Sequence, residues 1–509
     1  MLHIKSLTVS LKKDLRVIID GFSFVLGEGD RAVIIGEEGN GKSTLLKLIY
    51  EPELAGGYCE YSGEIITRGT KLGYLPQEMT VDDKTLSAAD FCAAIPEFYD
   101  VSPKTLSKLC RELDLSVELP FSEQLIATLS GGERVKLQLL KILISEPDLL
   151  LLDEPSNDID IATLEWLERF INNCGKPVLF VSHDETLIEN TANVIIHLEQ
   201  IRRKTLPRAT VVKSGYRDYI QSRSRALEKQ ETEANKEKAE FYGKLERFRK
   251  IEQAVEHQQN VVSRQDPHGG KLLKKKMKAV KSLEKRLDRE SEDMTERPDI
   301  EEAIFLRFDE KTLVPNGKIV IEYELPELSR GETLLARNIR LTVKGAEKVC
   351  ITGRNGVGKT TLLKKIAEIL LARSDIKCGY MPQDYFDLLP MDSTPVEYLA
   401  PSGKKEDVTR AMTMLGSVKY TAEEMAHTIL ELSGGQKAKL VFLKLTSDGC
   451  NVLLLDEPTR NFSPMSNPVI REILRDYGGA IISVSHDRRY ISDVCGTVYE
   501  LTEAGLVRG

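Results

Sequence analysis

The chain has 509 residues, 41% hydrophobic and 29% charged, with a formal net charge of −8. That length exceeds one hydrophobic core at roughly 100–200 residues per domain, and the net charge gives no global reason to bind nucleic acid, so any such contact must come from a local patch. No apolar run approaches the roughly 20 residues that span a bilayer, and the eight cysteines (Cys59, Cys92, Cys110, Cys174, Cys350, Cys378, Cys450, Cys495) contain no C-x-x-C pair, which suits reduced core residues of a cytosolic protein rather than a disulfide or zinc framework.

The opening residues, MLHIKSLTVSLKKDL, alternate apolar and polar like a strand and lack the apolar block of a signal peptide. RAVIIG reads as a buried strand. It runs into Gly36-Glu37-Glu38-Gly39-Asn40-Gly41-Lys42-Ser43 and then a helix-like STLLKLIY, the setting a phosphate loop requires. Gly36, Gly39 and Gly41 let backbone N–H groups converge on phosphates at a helix N-terminus. Lys42 is expected on the β- and γ-phosphates, Ser43 on Mg²⁺, and Thr44 beside them. The glycine-rich stretch YEPELAGGYCEYSG reads as a surface insertion of about 11 residues. Gln77 follows in GYLPQE, then LSGGE with Ser130, Gly131 and Gly132. DLLLLDEP is a buried parallel strand ending in acids. Ligands in such sheets sit at the carboxyl ends of strands, which places Asp153 beside Mg²⁺ and Glu154 where it can polarise an attacking water. FVSHD is another strand end, with His183 facing the γ-phosphate.

The middle of the chain is different. Apolar residues recur every seven positions (Leu227, Ala234, Phe241, Phe248, Val255, Val262), and the pattern resumes with Leu273, Val280 and Leu287. This predicts two long helices in an antiparallel hairpin with a turn near Ser263–Gly270. Between Arg264 and Arg289 stand ten Lys or Arg against three Asp or Glu. Arg264, Lys271, Lys274, Lys275, Lys276 and Lys278 cluster around the turn, and such a basic tip suits a nucleic-acid backbone, RNA shape better than DNA sequence.

Beyond it the first set of landmarks returns: Gly353-Arg354-Asn355-Gly356-Val357-Gly358-Lys359-Thr360, with Thr361, then Gln383 in GYMPQD, Ser433, Gly434 and Gly435 in LSGGQ, then Asp456, Glu457 and His486. Ser130 and Ser433, Glu154 and Glu457, His183 and His486 are each 303 positions apart. The chain is a duplicated α/β domain.

Phosphate loop, glutamine loop, LSGGE or LSGGQ, LLLLDEP and SHD, in that order and twice over, resemble the nucleotide-binding domain of the ATP-binding cassette superfamily. With no membrane segment and a charged helical hairpin between the copies, the whole chain resembles the ABC-F family. The resemblance implies two P-loop ABC-type α/β domains, 1–214 and 306–509, joined by a hairpin linker, 215–305. It implies that each LSGG element completes the ATP site of the opposite domain within one monomer: Ser130–Glu133 over ATP at Lys359, Ser433–Gln436 over ATP at Lys42. Gln77 and Gln383 would join Ser43, Thr360, Asp153 and Asp456 around Mg²⁺, and Glu154, Glu457, His183 and His486 would serve hydrolysis. It further implies a cytoplasmic partner, the ribosome (50S or 70S), with the linker reaching the P-site tRNA, rRNA and the peptidyl transferase centre. Wording such as PTRNFSP and the compact form resemble the branch that protects against large-subunit antibiotics. The alternatives are a housekeeping ABC-F translation factor, an ATPase subunit of an ABC transporter, a DNA-maintenance ATPase, or a nucleotide-binding regulator of another protein.

Two departures stand out. VSLKKDLRV and PELSRGETLL hold no aromatic residue to stack on adenine, so GTP could be tolerated. After the acids the first copy reads SNDID and the second TRNFSP, with Ser463 in place of the acid matching Asp160. The two ATP sites are therefore expected to differ in hydrolysis rate.

Overall fold

The computed structural model describes residues 1–261, 267–292, 298, 313–331 and 333–509. The chain forms two compact units: Met1–Tyr216 with Glu301–Gly509, and Arg217–Ile300. Both α/β copies therefore pack together as one unit.

Each copy is built on a six-stranded sheet with the same strand order. In the first copy the strands run, edge to edge, Leu72–Leu75, Leu149–Asp153, Val178–Val181, Arg31–Ile35, Val194–Gln200 and Leu206–Val212. In the second they run Cys378–Met381, Val452–Asp456, Ala480–Val484, Lys348–Thr352, Thr497–Thr502 and Gly505–Arg508. Only the last strand of each is antiparallel to its neighbour. The central strands are rich in Val, Ile and Leu because helices cover both faces, and Leu149–Asp153 and Val452–Asp456 are buried at every residue. Their acids lie at the carboxyl ends, beside the turns that follow Arg31–Ile35 and Lys348–Thr352.

The predicted surface insertion holds the short helix Glu53–Gly56 and leads into a largely exposed strand. Cys59–Ile66 pairs antiparallel with Leu2–Leu11, which also pairs with Val17–Leu26. Gly63 does not mark a turn. It sits at φ 106°, where a Cβ would stand 2.5 Å from the Ser6 carbonyl oxygen, beside the register shift in that pairing. The second copy has a two-stranded hairpin at this place, Ile319–Arg330 with Thr333–Lys344.

All eight cysteines are unpaired, five of them buried. No helix among the described residues is long and apolar enough to cross a membrane.

In the second unit, helices Tyr216–Val261 and Pro267–Glu292 pack through Phe248, Val255, Val280 and Leu287, with Phe241, Leu245, Met277 and Leu283 at the margins. Lys244 and Glu290 pair across them. At 46 residues the first helix is about 70 Å long. The second helix already begins at Pro267, inside the predicted turn, because proline is well suited to the first helical position. The rest of that turn, with Val262 and Arg264, lies outside the described residues. Lys271 belongs to the second helix, and Lys274, Lys275, Lys276 and Lys278 are exposed on it.

The two copies meet through a charge network. Arg471 on helix Asn467–Arg475 reaches Glu185 on helix Glu185–Thr191, and its Nε donates to Asp493 at 2.9 Å. Arg489 donates to Glu185 at 2.8 Å and pairs with Glu189, while Arg488 pairs with Glu168 and lies 3.5 Å from Asp184.

Candidate nucleotide sites between the two copies

The two glycine-rich loops share one backbone geometry. Gly39 and Gly41 have φ of 81° and 87°, and Gly356 and Gly358 have 83° and 105°, the region glycine alone enters freely. The loops end at helices Lys42–Tyr50 and Lys359–Leu371, which carry Ser43, Thr44, Thr360 and Thr361 in their first turns. Lys42 Nζ donates to the carbonyls of Gly36 (2.8 Å) and Glu37 (3.0 Å), and Lys359 Nζ to those of Gly353 (2.8 Å) and Arg354 (2.9 Å). Each lysine is thus coiled inside its own loop, where an anion would be held. The side chains crowding the loops are aliphatic: Ile18 beside Gly41, and Leu328 and Leu335 beside Gly358.

The metal-binding candidates converge as well. Ser43 Oγ donates to Asp153 Oδ1 at 2.8 Å, and the Tyr74 hydroxyl donates to Oδ2 at 3.3 Å. In the second copy, among the described residues, neither oxygen of the buried Asp456 makes a hydrogen bond of sound geometry, although Thr360 is close enough to lower its pKa, and the Tyr380 hydroxyl makes none either. Burial pushes both aspartates up to about 6. A hydroxyl beside an all-oxygen donor set, with an orphaned buried carboxylate in one copy, fits Mg²⁺. Gln77 and Gln383 lie just past the ends of strands Leu72–Leu75 and Cys378–Met381 and are exposed.

The LSGG elements open helices Gly131–Ile144 and Gly434–Ser447. Ser130 and Ser433 are their N-caps, and each forms a reciprocal capping box with Glu133 or Gln436. This accounts for the fifth letter of the motif being E in one copy and Q in the other. The glycines admit the following loop: a Cβ on Gly131 would stand 1.8 Å from the Asp158 carbonyl oxygen, and one on Gly435 2.8 Å from that of Asn461.

The catalytic candidates differ between copies. Glu154 and Glu457 both sit at φ 50°, a strained setting for a non-glycine residue. Glu154 Oε1 lies 3.1 Å from His183 Nε2, and its Oε2 accepts from Asn157 at 2.8 Å. His183 Nδ1 lies 2.9 Å from the Phe462 carbonyl oxygen of the other copy. A carbonyl and a carboxylate can only accept, so both ring nitrogens carry protons. Burial raises Glu154, but His183, Lys42 and Asn157 outweigh it and hold the carboxyl at about 2. Burial opposes charge on His183, yet Glu154 raises its pKa. In the second copy the corresponding pair is 3.9 Å apart, and His486 Nδ1 has no hydrogen-bond partner among the described residues. Burial and the adjacent Asp456 push Glu457 up to about 8, while burial and Lys359 push His486 down to about 4.

Sequence reasoning passed over the two acids of the first phosphate loop, although acids in a loop meant for anions were themselves a signal. Glu37 accepts from Ser463 Oγ at 2.7 Å and from Ser466 Oγ, and lies 3.2 Å from Lys439 Nζ. Glu38 accepts from the Gly435 N–H at 2.6 Å. In the second loop Asn355 donates to the Asp158 carbonyl at 2.6 Å, and Arg460 pairs with the Asp158 carboxylate at 3.0 Å. The departure at Ser463 has its reason here. An acid at that buried position would face the Glu37 carboxylate, whereas Asp160 is free to cap helix Ile161–Asn173 through Thr163.

Ser463→Asp is therefore expected to destabilise the first unit by about 2–4 kcal/mol, and Glu37→Gln in the same chain to restore most of it, leaving Lys439 to pair with the new acid. Thermal melts of the two variants check this; no rescue would refute it. Glu37 itself is held at about 2 from its ordinary 4.5: burial raises it, and Lys439, Ser466 and Ser463 outweigh burial. Because folding lowers this pKa, the stability it contributes is whole above pH 4.5 and is lost as pH falls toward 2.

The ABC transporter family model matches residues 19–157 and 336–460. The ribosome protection protein VmlR of Bacillus subtilis (strain 168) is 30% identical over 492 residues, spanning 94% of this chain and 83% of VmlR. ABC transporter F family member 5 of Arabidopsis thaliana is 25% identical, over 96% of this chain and 73% of its own length. Among solved structures, the archaeal ribosome recycling factor aABCE1, in complex with the stalk protein aP1, superposes with a TM-score of 0.58 at 17% identity, over 97% of this chain and 87% of that one, a likeness of fold. Two matched cassettes, and relatives that align along nearly all of the chain, place this protein in the ATP-binding cassette family, in its F branch.

Proposed function

We propose that the chain is a cytosolic ATPase that binds the ribosome in an ATP-closed form and hydrolyses ATP to ADP and phosphate at two composite sites. The observation that carries this reading is the crossing of the cassette interface. The loop of Lys42 meets Gly435 and Ser463 of the second cassette, and Asn355 beside Lys359 meets Asp158 of the first. A γ-phosphate at either loop would face the opposite LSGG helix, so binding draws the cassettes together and hydrolysis releases them. Lys42 and Lys359 hold phosphate. Ser43, Asp153 and Gln77, and Thr360, Asp456 and Gln383, hold Mg²⁺, which when bound neutralises charge on the phosphates. Glu154 and Glu457 take the attacking water, and His183 and His486 support them from the neighbouring strand ends.

The division into cassettes 1–214 and 306–509 with linker 215–305 belongs to the same proposal. The linker's exposed Lys274, Lys275, Lys276 and Lys278 suit an RNA backbone. Similarity to a protein named for ribosome protection favours a linker that reaches the P-site tRNA and the peptidyl transferase region and protects against large-subunit antibiotics. A housekeeping translation factor is the second reading.

A chain carrying both Glu154→Gln and Glu457→Gln should sediment with 50S or 70S particles in ATP but not in ADP. Absence of that ATP-dependent association would overturn the ribosome reading. Expression of the unaltered chain in a sensitive host should raise the inhibitory concentration of a large-subunit antibiotic; unchanged susceptibility with intact ribosome binding would favour the housekeeping role.

A further inference from the structure

The first phosphate loop carries Glu37 and Glu38 where the second carries Arg354 and Asn355. Two carboxylates are out of place in a loop that gathers N–H groups around an anion. Glu37 is neutralised by Lys439 and bonded by Ser463 and Ser466. Glu38 instead crosses the interface, and its Oε2 takes the Gly435 N–H at 2.6 Å, at the start of helix Gly434–Ser447. That is a charge-assisted bond at the positive end of a helix. It occupies an N–H at the start of the LSGG helix that, on the reading above, would face the γ-phosphate of ATP held at Lys42.

We propose that Glu38 is a built-in competitor for the γ-phosphate at the first site, and that it sets that site's preference between ATP and ADP. Two anions cannot share one N–H at this distance, and their charges repel across the same helix end. ATP must therefore displace Glu38 before the first site closes. ADP has no third phosphate and leaves the contact in place. After hydrolysis and phosphate release the Gly435 N–H is again open to the carboxylate. The second site has no such competitor, because the neutral Asn355 is engaged with the Asp158 carbonyl. The two sites then differ in how strongly they favour ATP, independently of how fast each hydrolyses it.

This inference rests on the ATP reading of the Lys42 site, so its test omits the ribosome. Full-length chain with Mg²⁺ is titrated with fluorescent ATP and ADP analogues. Unaltered chain should show a weaker and a tighter class of ATP site. Glu38→Asn should tighten the weaker class by about tenfold, the size of one charged hydrogen bond released for use, with ADP affinity unchanged. Glu38→Gln, which keeps the side-chain length, should act in the same direction. Asn355→Glu should weaken ATP at the other site. The proposal is overturned if the Glu38 variants leave ATP affinity unchanged, or if they tighten ADP as much as ATP. A chain that binds neither nucleotide would overturn the ATP reading itself, and this inference with it.

Discussion

Replacing Arg471 by alanine is expected to destabilise the paired cassettes by about 3–5 kcal/mol, the range for breaking one partner out of a buried ion network. Arg471 is 6% exposed and Glu185 5% exposed. Burial raises the Glu185 carboxyl, the guanidinium groups of Arg471 and Arg489 oppose it, and Asp487 adds to the rise. Without Arg471 that carboxylate loses its bidentate partner and stays out of water. Glu185 lies two positions after His183, and Arg488 and Arg489 lie two and three after His486, so hydrolysis should fall with stability. Calorimetry of the full chain reads the loss. The companion variant, Arg471→Met with Glu185→Gln, removes both charges and should recover most of it. An Arg471→Ala melt within experimental error of the unaltered protein would show that the network contributes little.

The second large effect is on turnover. At saturating ATP, Glu154→Gln is expected to reduce hydrolysis by about 100-fold or more, the usual worth of a general base, and Glu457→Gln to reduce it much less. Glu154 is ionised and aligned by His183 and Asn157, and His183 is itself fixed by the Phe462 carbonyl of the other cassette. Glu457 has its histidine at 3.9 Å, and burial and Asp456 push its carboxyl up to about 8. Single-turnover rates for the two variants decide the matter. Equal residual rates would mean that nucleotide binding erases the asymmetry of the resting chain.

Most of the candidate nucleotide site was legible because its signals are local. Glycine spacing, an apolar strand ending in Asp-Glu, and a Ser three residues before Glu or Gln each describe geometry within a few residues. The hairpin was legible for the same reason, through a seven-residue period that placed Phe248, Val255, Val280 and Leu287 in its seam. What escaped was anything joining distant segments. Ser463 could be seen to depart from its counterpart, but its partner Glu37 is 426 positions away. Glu38 occupies a position where the phosphate-loop motif tolerates many residues, and its meaning appears only beside Gly435. The strand Cys59–Ile66 begins inside the stretch whose glycines point to a surface insertion, and its pairing with Leu2–Leu11 is not written in those residues. Gly63 instead relieves a close approach to Ser6 and Leu7.

The charge network carries one more consequence. Glu168 and Arg471 occupy matching positions in the two cassettes, 303 apart, and so do Glu185 and Arg488. Glu168–Arg488 and Arg471–Glu185 are thus a single contact made twice about a pseudo-twofold axis, with its polarity reversed. The first cassette supplies the acid each time and the second the base. Two first cassettes would bring glutamate to glutamate, and two second cassettes arginine to arginine. The charges favour a pairing of unlike halves over a pairing of like ones. Neighbouring chains on a crowded surface could then not trade cassettes of the same kind.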